Sequence, residues 1–218
     1  MKKVCVLITG VVRPSPDRAF KNIQKTIETI GADECDIYIL TYRTPEAEKL
    51  KESISKSSLD INFYLIDPIT QVIGGHNGNN YRMFRSIEIL ISHVNNLLDY
   101  EVVLRHRIDC ELVEIEIPTE VRENTYYAPS LPWGTFDNIS LCRPEVAVKM
   151  FSTKGTCFDV LNPHAVIDNT LAKKNILLKP FNFKKFLYQS QEDIVLGNPQ
   201  WSKKDRTFEY KNKWISIE

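Results

Sequence analysis

The first half of the chain alternates largely apolar runs of strand length with segments of helical periodicity. The apolar runs at 4–8, 35–42 and 61–67 are typical of strands that are buried on both faces. After the first run, apolar residues recur at spacings of three and four, at Phe20, Ile23, Ile27 and Ile30, which is the pattern of one helix face. This alternation predicts a mostly parallel sheet with helices on both faces.

The boundaries of the first two helices are marked by capping residues. Ser15 followed by Pro16 predicts an N-cap with proline at the first helical position. Gly31 predicts the end of that helix, because glycine is favoured just after a helix. Thr44 and Pro45 open a second, charged helix in the same way, and it is predicted to end near residue 56.

A fourth strand–helix unit follows a loop at 74–80 that is rich in Gly and Asn. It consists of a helix over about 80–98 and a strand at 101–107. Beyond Asp109 the pattern weakens, and residues 112–123 are acidic and interrupted by proline. The elements predicted after them are short strands at 125–131 and 138–143, helices at about 144–153 and 163–174, and a last strand at 176–183.

Charge and composition exclude several classes of protein. The 28 basic and 28 acidic residues cancel, whereas a domain that binds nucleic acid through phosphate neutralisation is strongly basic. No apolar run approaches the ~20 residues of a membrane span. The start of the chain, MKKVCVLITG, predicts a first buried strand and not a signal peptide. The five cysteines contain no CxxC pair, so we expect reduced thiols in a cytoplasmic setting.

Two acids follow the fourth predicted strand. Ligands of open parallel sheets bind beyond the carboxyl ends of the strands, which is where Asp109 and Glu111 are placed. Residues two apart in an extended segment point to one side, so the two carboxylates are candidate ligands of Mg²⁺ or Mn²⁺. The alternative is a pair of solvated acids, or acids paired with Arg105 and Arg107.

The helix before that strand begins with two arginines and a serine. Spacings of three and four place Arg82 on the same face as Arg85 and Ser86. A helix N-terminus with guanidinium groups suits phosphate or ribose oxygens. The alternative is a set of surface arginines that pair with acids.

The turn after the first strand is a further candidate for ligand contact. It reads Thr9-Gly10-Val-Val-Arg13, and Gly10 allows a ligand to approach the backbone closely. The sequence contains neither G-x-G-x-x-G nor G-x-x-x-x-G-K-[ST], so it lacks a dinucleotide fingerprint and a P-loop.

A loop in the second half combines an aromatic residue, a glycine and an acid. Trp133 and Gly134 are candidates for the floor of a sugar site, and Asp137 for a general base. The alternative is a hairpin turn with a packed Trp133. His164 and Asp168 lie four apart on a predicted helix, where a capping or surface role is favoured over metal binding. His106 is predicted to be buried, and no triad or G-x-S-x-G elbow supports a hydrolase.

These features together resemble one family. The order of elements, the T-G ending of the first strand, and the segment Arg105-His-Arg107-Ile-Asp109-Cys-Glu111 are similar to the small GT-A-fold glycosyltransferases. Such enzymes serve polysaccharide synthesis in bacteria and in large DNA viruses of algae (chlorella viruses). The likeness covers roughly residues 3–155 of the sequence.

The resemblance implies a single α/β domain of GT-A type over 1–218. Residues 1–111 would form the nucleotide-sugar-binding half and residues 112–218 the acceptor-side half. The implied activity is of the hexosyltransferase class, moving a sugar from a UDP-sugar to a glycan or glycoprotein acceptor with Mn²⁺ or Mg²⁺. The setting would be the cytoplasm, or the host cytoplasm for a viral enzyme.

The same resemblance assigns residues to these roles. Asp109 and Glu111 fall on the metal-binding D-x-D motif, and the Glu in place of the second Asp leaves direct coordination by Glu111 open. The residues implied to contact the donor are Thr9, Gly10, Arg13, Asp67, Arg82, Ser86 and Arg107. Asp109 and Asp137 are the predicted catalytic residues, with Asp137 as the base of an inverting reaction.

Two other functions stay open on the sequence. A non-catalytic nucleotide- or glycan-binding module on the same scaffold needs neither a metal nor a base. A nucleotidyltransferase also uses paired acids on a parallel sheet, but it normally carries a Gly-rich, basic loop after the first strand. Here the segment TGVVRPSPD has only one Gly and one Arg, which favours the glycosyltransferase.

Overall fold

The predicted alternation of strands and helices is present in the computed structural model. It describes residues 4–13, 15–31, 34–70, 78–131, 134–135, 137–159, 162–181, 183–188 and 205–210. The elements of the first half are β1 (Val4–Thr9), α1 (Pro16–Ile30), β2 (Cys35–Tyr42), α2 (Pro45–Ser55), β3 (Ile61–Ile66), α3 (Gly78–Ser92) and β4 (Val102–Arg107).

The second half contributes shorter elements. They are β5 (Cys110–Ile115), β6 (Thr125–Tyr127), β7 (Ser130–Leu131), β8 (Gly134–Thr135), β9 (Ile139–Cys142), α4 (Pro144–Phe151), α5 (Pro163–Lys173), β10 (Leu177–Lys179), β11 (Phe183–Tyr188) and β12 (Asp205–Tyr210).

Seven strands form the central sheet, in the order β10-β6-β9-β4-β1-β2-β3. Strand β1 pairs in parallel with β2 and β4, and β2 pairs in parallel with β3. Strand β9 pairs antiparallel with both β4 and β6, and β6 pairs in parallel with β10. The sheet is therefore mostly parallel, as predicted, and β9 is its antiparallel strand.

The sheet separates two apolar layers, because successive side chains of a strand face opposite sides. Helices α1 and α2 pack on the face that includes Val6 and Ile8 of β1. Helices α3, α4 and α5 pack on the opposite face, which includes Cys5 and Leu7. The fold class predicted from the sequence, an α/β sheet covered on both faces, is confirmed.

The predicted helix starts are confirmed in detail. The Ser15 side chain accepts a hydrogen bond from the backbone N–H of Arg18 at 3.2 Å, and Thr44 accepts one from Ala47 at 3.1 Å. Each of these helices has proline in its first turn. Capping in this way satisfies backbone donors that have no partner within the helix.

Helix α3 is shorter than predicted. It ends at Ser92, and the following Leu97–Asp99 segment is a separate 3-10 turn. Asn96 adopts a left-handed conformation with φ of 52°, which no helix can contain. Val94 and Leu97 are nevertheless buried, so the apolar spacing continues beyond the helix and extends the prediction too far.

The acidic segment after Asp109 begins with a strand that the sequence analysis did not assign. Strand β5 pairs antiparallel with β11, and β11 with β12, in a second sheet of three strands. Cys110 and Leu112 of β5 are buried. The strand predicted at 176–183 divides into β10 and β11 around Pro180, which has no N–H to donate to a ladder.

None of the described helices is long and apolar enough to cross a membrane. All five cysteines are free of disulfide bonds, and Cys157 is exposed while the other four are buried.

Candidate active site

The loop after β1 is fixed at the carboxyl edge of the sheet by two neighbours, Ile108 and Thr41. Gly10 has φ of +131°, and a Cβ at this position would meet Ile108 Cγ2 at 3.4 Å. The Ile108 N–H donates to the Thr9 carbonyl at 3.1 Å, and the Thr41 hydroxyl donates to the Gly10 carbonyl at 2.7 Å. Glycine is required here because the backbone is left-handed and its neighbour is close.

This loop borders a cavity of about 390 Å³ at the carboxyl ends of β1, β2 and β4. Parallel α/β sheets bind ligands at this edge. The residues predicted from the sequence that line it are Thr9, Gly10, Arg13, Arg82, Ser86, Arg107 and Asp137. The fold therefore brings together residues that are up to 128 positions apart in the sequence.

A larger cavity, of about 530 Å³, lies at the opposite edge of the sheet. Val4 and Val102, the first residues of β1 and β4, line it together with Glu34, Glu101 and Arg143. Because ligands of parallel sheets bind at the carboxyl edge, we assign the function to the smaller cavity.

Asp109 lies behind the arginines of this cavity and is only 1% exposed. Its Oδ2 accepts a hydrogen bond from Arg13 Nε at 2.7 Å, and its Oδ1 accepts one from Arg107 Nε at 2.8 Å. Burial alone would raise the pKa of Asp109, but Arg107, and after it Arg13, lower this pKa to about 2. Asp109 is thus ionised and holds two guanidinium groups at the cavity wall.

Glu111 faces a different partner. Its Oε2 accepts a hydrogen bond from Arg18 of α1 at 3.2 Å, and its side chain is 24% exposed. The alternative weighed for the two acids was pairing with Arg105 and Arg107. Arg107 does pair with Asp109, Arg105 is in none of the described ion pairs, and Arg13 and Arg18 are the other partners of the acids.

These contacts do not fit a divalent cation at Asp109 and Glu111. Both Asp109 oxygens already accept hydrogen bonds from guanidinium groups, so neither is offered to a metal as an open ligand. Within the described ranges no group of three or more His, Cys, Asp or Glu side chains is placed to hold a metal ion. The metal role of Asp109 and Glu111 remains a prediction.

Arg105 was named from the sequence only in the family motif and as a possible partner of the two acids, and no donor contact was assigned to it. Arg105 lines the cavity, is 2% exposed, and its Nε has no hydrogen-bond partner among the residues that the structure describes. Burial lowers the pKa of Arg105, and the neighbouring Tyr126 and, after it, Asp137 oppose that shift. The sequence signal that could have placed Arg105 in the cavity is the alternation of side chains in β4, because Arg105 and Arg107 are two residues apart and share a face.

Helix α3 contributes its first turns to the cavity. Arg82 and Ser86 line it, whereas Arg85 forms an ion pair with Glu88 at 2.6 Å on the same helix. Arg82 Nε donates to the Ile69 carbonyl at 3.0 Å. The Ser86 hydroxyl lies 3.3 Å from that of Tyr42 at the end of β2. Arg82 therefore lies at the cavity, as the ligand-binding interpretation of the helix start expects, and Arg85 pairs with an acid, as the alternative expects.

Asp137 reaches the cavity from the segment between β8 and β9. The side chain of Asp168 accepts hydrogen bonds from the backbone N–H and the hydroxyl of Thr135. His164 Nδ1 donates to the Thr135 carbonyl at 2.8 Å, since a carbonyl can only accept. His164 and Asp168 thus hold the segment at Thr135, which differs from the capping or surface role favoured for them, and His164 Nδ1 also lies 3.7 Å from Asp137 Oδ1. Trp133 lies outside the described residues.

Two further predicted residues lie apart from the cavity. Asp67 follows β3, is 88% exposed and pairs with Arg43 at 3.6 Å, so its contact with a nucleobase stays a prediction. His106 is buried on the opposite face of β4, with Nε2 at 3.1 Å from the Thr26 hydroxyl. This agrees with the structural role expected for His106.

Comparisons with protein families and with curated proteins give no match. Among solved structures, a Desulfovibrio desulfuricans protein assigned as a nucleotide-diphospho-sugar transferase is similar, with a TM-score of 0.49 and 10% identity over 83% of this chain and 80% of its own.

Two further solved structures belong to named galactosyltransferases. LgtC in complex with donor and acceptor sugar analogues gives a TM-score of 0.49 and 12% identity over 80% of this chain and 72% of its own. Drosophila β-1,4-galactosyltransferase 7 in complex with manganese, UDP-Gal and xylobiose gives a TM-score of 0.47 and 11% identity over 83% of this chain and 65% of its own. At these TM-scores and identities the similarity carries no information on the activity of this chain.

Proposed function

We propose that this chain transfers a sugar from a nucleotide-diphosphate-sugar, UDP-linked by the sequence resemblance, to a glycan or glycoprotein acceptor. The observation that supports this is the cavity at the carboxyl edge of the sheet. Among its described lining residues, four are arginines and one is a carboxylate, Asp137. Guanidinium groups bind phosphate oxygens through paired hydrogen bonds, and a carboxylate beside them suits the acceptor hydroxyl.

The reaction exchanges one bond to the anomeric carbon of the sugar for another. The bond from this carbon to the β-phosphate oxygen breaks, and its electron pair stays on the phosphate. The acceptor oxygen forms the new bond and loses its proton. In an inverting reaction Asp137 takes this proton as general base; in a retaining reaction the departing diphosphate takes it.

The arginines act on the charge that develops during this step. Negative charge grows on the diphosphate as the bond breaks, and fixed positive groups lower the energy of that state more than that of the bound donor. Arg107 is held in place by Asp109 and by Asn138 Oδ1, at 3.0 Å from its Nη1. It therefore needs little reorganisation when the charge appears.

The test is release of the nucleoside diphosphate from a panel of nucleotide-sugars, with oligosaccharide acceptors present or absent. We expect release from at least one donor, and its loss in Asp137→Asn if the reaction inverts. Asp60→Asn is the matched control, because Asp60 is an exposed acid before β3. Binding of a donor without any release would instead indicate a binding module, and pyrophosphate release from a nucleoside triphosphate would indicate a nucleotidyltransferase.

A further inference from the structure

Two arginines on the same face of β4 have contrasting surroundings. Arg107 donates to both oxygens of Asp109 and to Asn138. Arg105 is more deeply buried, and its Nε has no hydrogen-bond partner. Both arginines lie on the same strand two residues apart, so the sequence does not distinguish them. Among the described ion pairs, Arg107 has a carboxylate partner and Arg105 has none.

A buried guanidinium nitrogen without an acceptor is costly, because Arg105 Nε loses its hydration and gains no hydrogen bond from the described residues in return. Arg105 lines the cavity, so a ligand that enters it can supply the missing acceptor. The ligand must then present anionic oxygens at the floor of the cavity, next to β4.

The charges around the cavity point to the same kind of ligand. The four lining arginines face Asp137, and Asp109 lies directly behind two of them. These described groups leave an excess of two positive charges. The diphosphate of a nucleotide-sugar carries one negative charge on each phosphate, so it balances this excess without a further cation.

We propose that Arg105 binds the diphosphate of the donor directly, and that guanidinium groups neutralise this diphosphate in the place of a divalent metal ion. This inference rests on the proposed function and deepens it. Asp109, which the sequence suggested as a metal ligand, acts here as a positioning residue that orients Arg13 and Arg107 toward the cavity.

The inference assigns a role to Arg105 in the group-transfer step. When the bond between the anomeric carbon and the β-phosphate oxygen breaks, the electron pair remains on that oxygen and the diphosphate becomes more negative. The Arg105 guanidinium stays charged throughout and gives no proton to the product. The acceptor proton leaves as described above, so no co-reactant besides donor and acceptor is required.

The first experiment measures UDP binding to the full chain by calorimetry, in EDTA and then in excess Mn²⁺ or Mg²⁺. We expect UDP to bind in EDTA, with an affinity that changes less than about threefold when the metal is added. Binding that requires Mn²⁺ or Mg²⁺ would overturn the inference, and so would sugar transfer that is abolished by EDTA and restored by the metal.

The second experiment tests Arg105 itself. Loss of a hydrogen bond to a charged group predicts that Arg105→Met weakens UDP binding in EDTA by about ten- to a hundredfold. Binding of uridine, which has no phosphate, should change little. Arg105→Lys keeps the charge but lacks the planar fork, so it should recover only part of the affinity.

The matched control is Arg143→Met, which removes one guanidinium at the opposite edge of the sheet. It should bind UDP as the parent chain does. Unchanged UDP binding in folded Arg105→Met or in Arg105→Lys would contradict the inference, and thermal melting checks that each variant folds.

Failure of the proposed function gives a different result. If none of UDP, GDP, ADP, CDP and dTDP binds in EDTA or with metal, the cavity is not a nucleotide site, and both proposals are wrong. If one of them binds only with metal, the proposed function stands and the arginine inference alone is wrong.

Discussion

The contrast between Arg105 and Arg107 predicts opposite effects of the same substitution on stability. Arg105→Met replaces a buried, unpaired charge by an apolar side chain of similar length. Replacement of buried charged groups by apolar residues is neutral to stabilising by up to about 4 kcal/mol. Since the attraction between Arg105 and Asp137 offsets part of this gain, we expect the ligand-free variant to be more stable by about 1–2 kcal/mol.

Arg107→Met should act in the opposite direction. It leaves the buried Asp109 carboxylate with Arg13 alone. Breaking a buried ion pair from one side costs about 3–5 kcal/mol, and the remaining arginine places the expected loss near about 3 kcal/mol. Urea denaturation of the two variants and the parent chain measures both differences.

UDP should narrow the difference in stability between Arg105→Met and the parent chain, and should reverse it if the substitution weakens binding about a hundredfold. For a chain of this length, about 1–2 kcal/mol corresponds to a melting temperature about 2–8 °C higher for Arg105→Met without nucleotide. UDP at a hundred times its dissociation constant stabilises the parent chain by about 2.7 kcal/mol, and the variant gains much less. If Arg105→Met is instead less stable than the parent chain by 2 kcal/mol or more, about the cost of a broken hydrogen bond to a charge, Arg105 has a structural partner and the reasoning is refuted.

Three further predictions concern the cavity and its supports. Gly10→Ala should lower stability by about 1–2 kcal/mol, because its φ of +131° strains any other residue, and donor titration should show weaker binding. The pKa of Asp109 is lowered from 3.8 to about 2, so its contribution of about 2 kcal/mol is complete above about pH 5 and is lost as the pH falls toward 2. Urea denaturation across this range should show the loss in the parent chain and not in Asp109→Asn. For an inverting reaction, Asp137→Asn should reduce sugar transfer at least about a hundredfold with donor affinity within threefold, whereas equal losses of both would make Asp137 a binding residue.

The architecture of the first half follows from the sequence because several local signals agree there. Apolar runs, capping pairs such as Ser15 with Pro16, and helical spacing all indicate the same elements. The errors arise where one signal stands alone. Apolar spacing continues through Val94 and Leu97 although Asn96 has left the helical conformation, and the acidic composition after Asp109 conceals β5.

The cavity residues were predicted from their places at strand ends and helix starts, but their charge partners were not. Asp109 pairs with Arg13, which lies 96 positions away in the sequence. No local pattern distinguishes the paired Arg107 from the unpaired Arg105, since both occupy the same face of β4. Only the packing of α1, β1 and the turn after β4 decides which guanidinium receives a carboxylate.

The antiparallel direction of β9 separates Asp137 from the arginines along the chain. Because β9 runs against β4, its first residues lie at the carboxyl edge of the sheet, and Asp137 is carried there just before the strand begins. The segment between β6 and β9 belongs to neither β1, β4 nor α3, which carry the arginine-lined part of the cavity. Under the proposed function, evolution or engineering would exchange the acceptor by replacing about ten consecutive residues of this segment, and the residues proposed to bind the donor would stay unchanged.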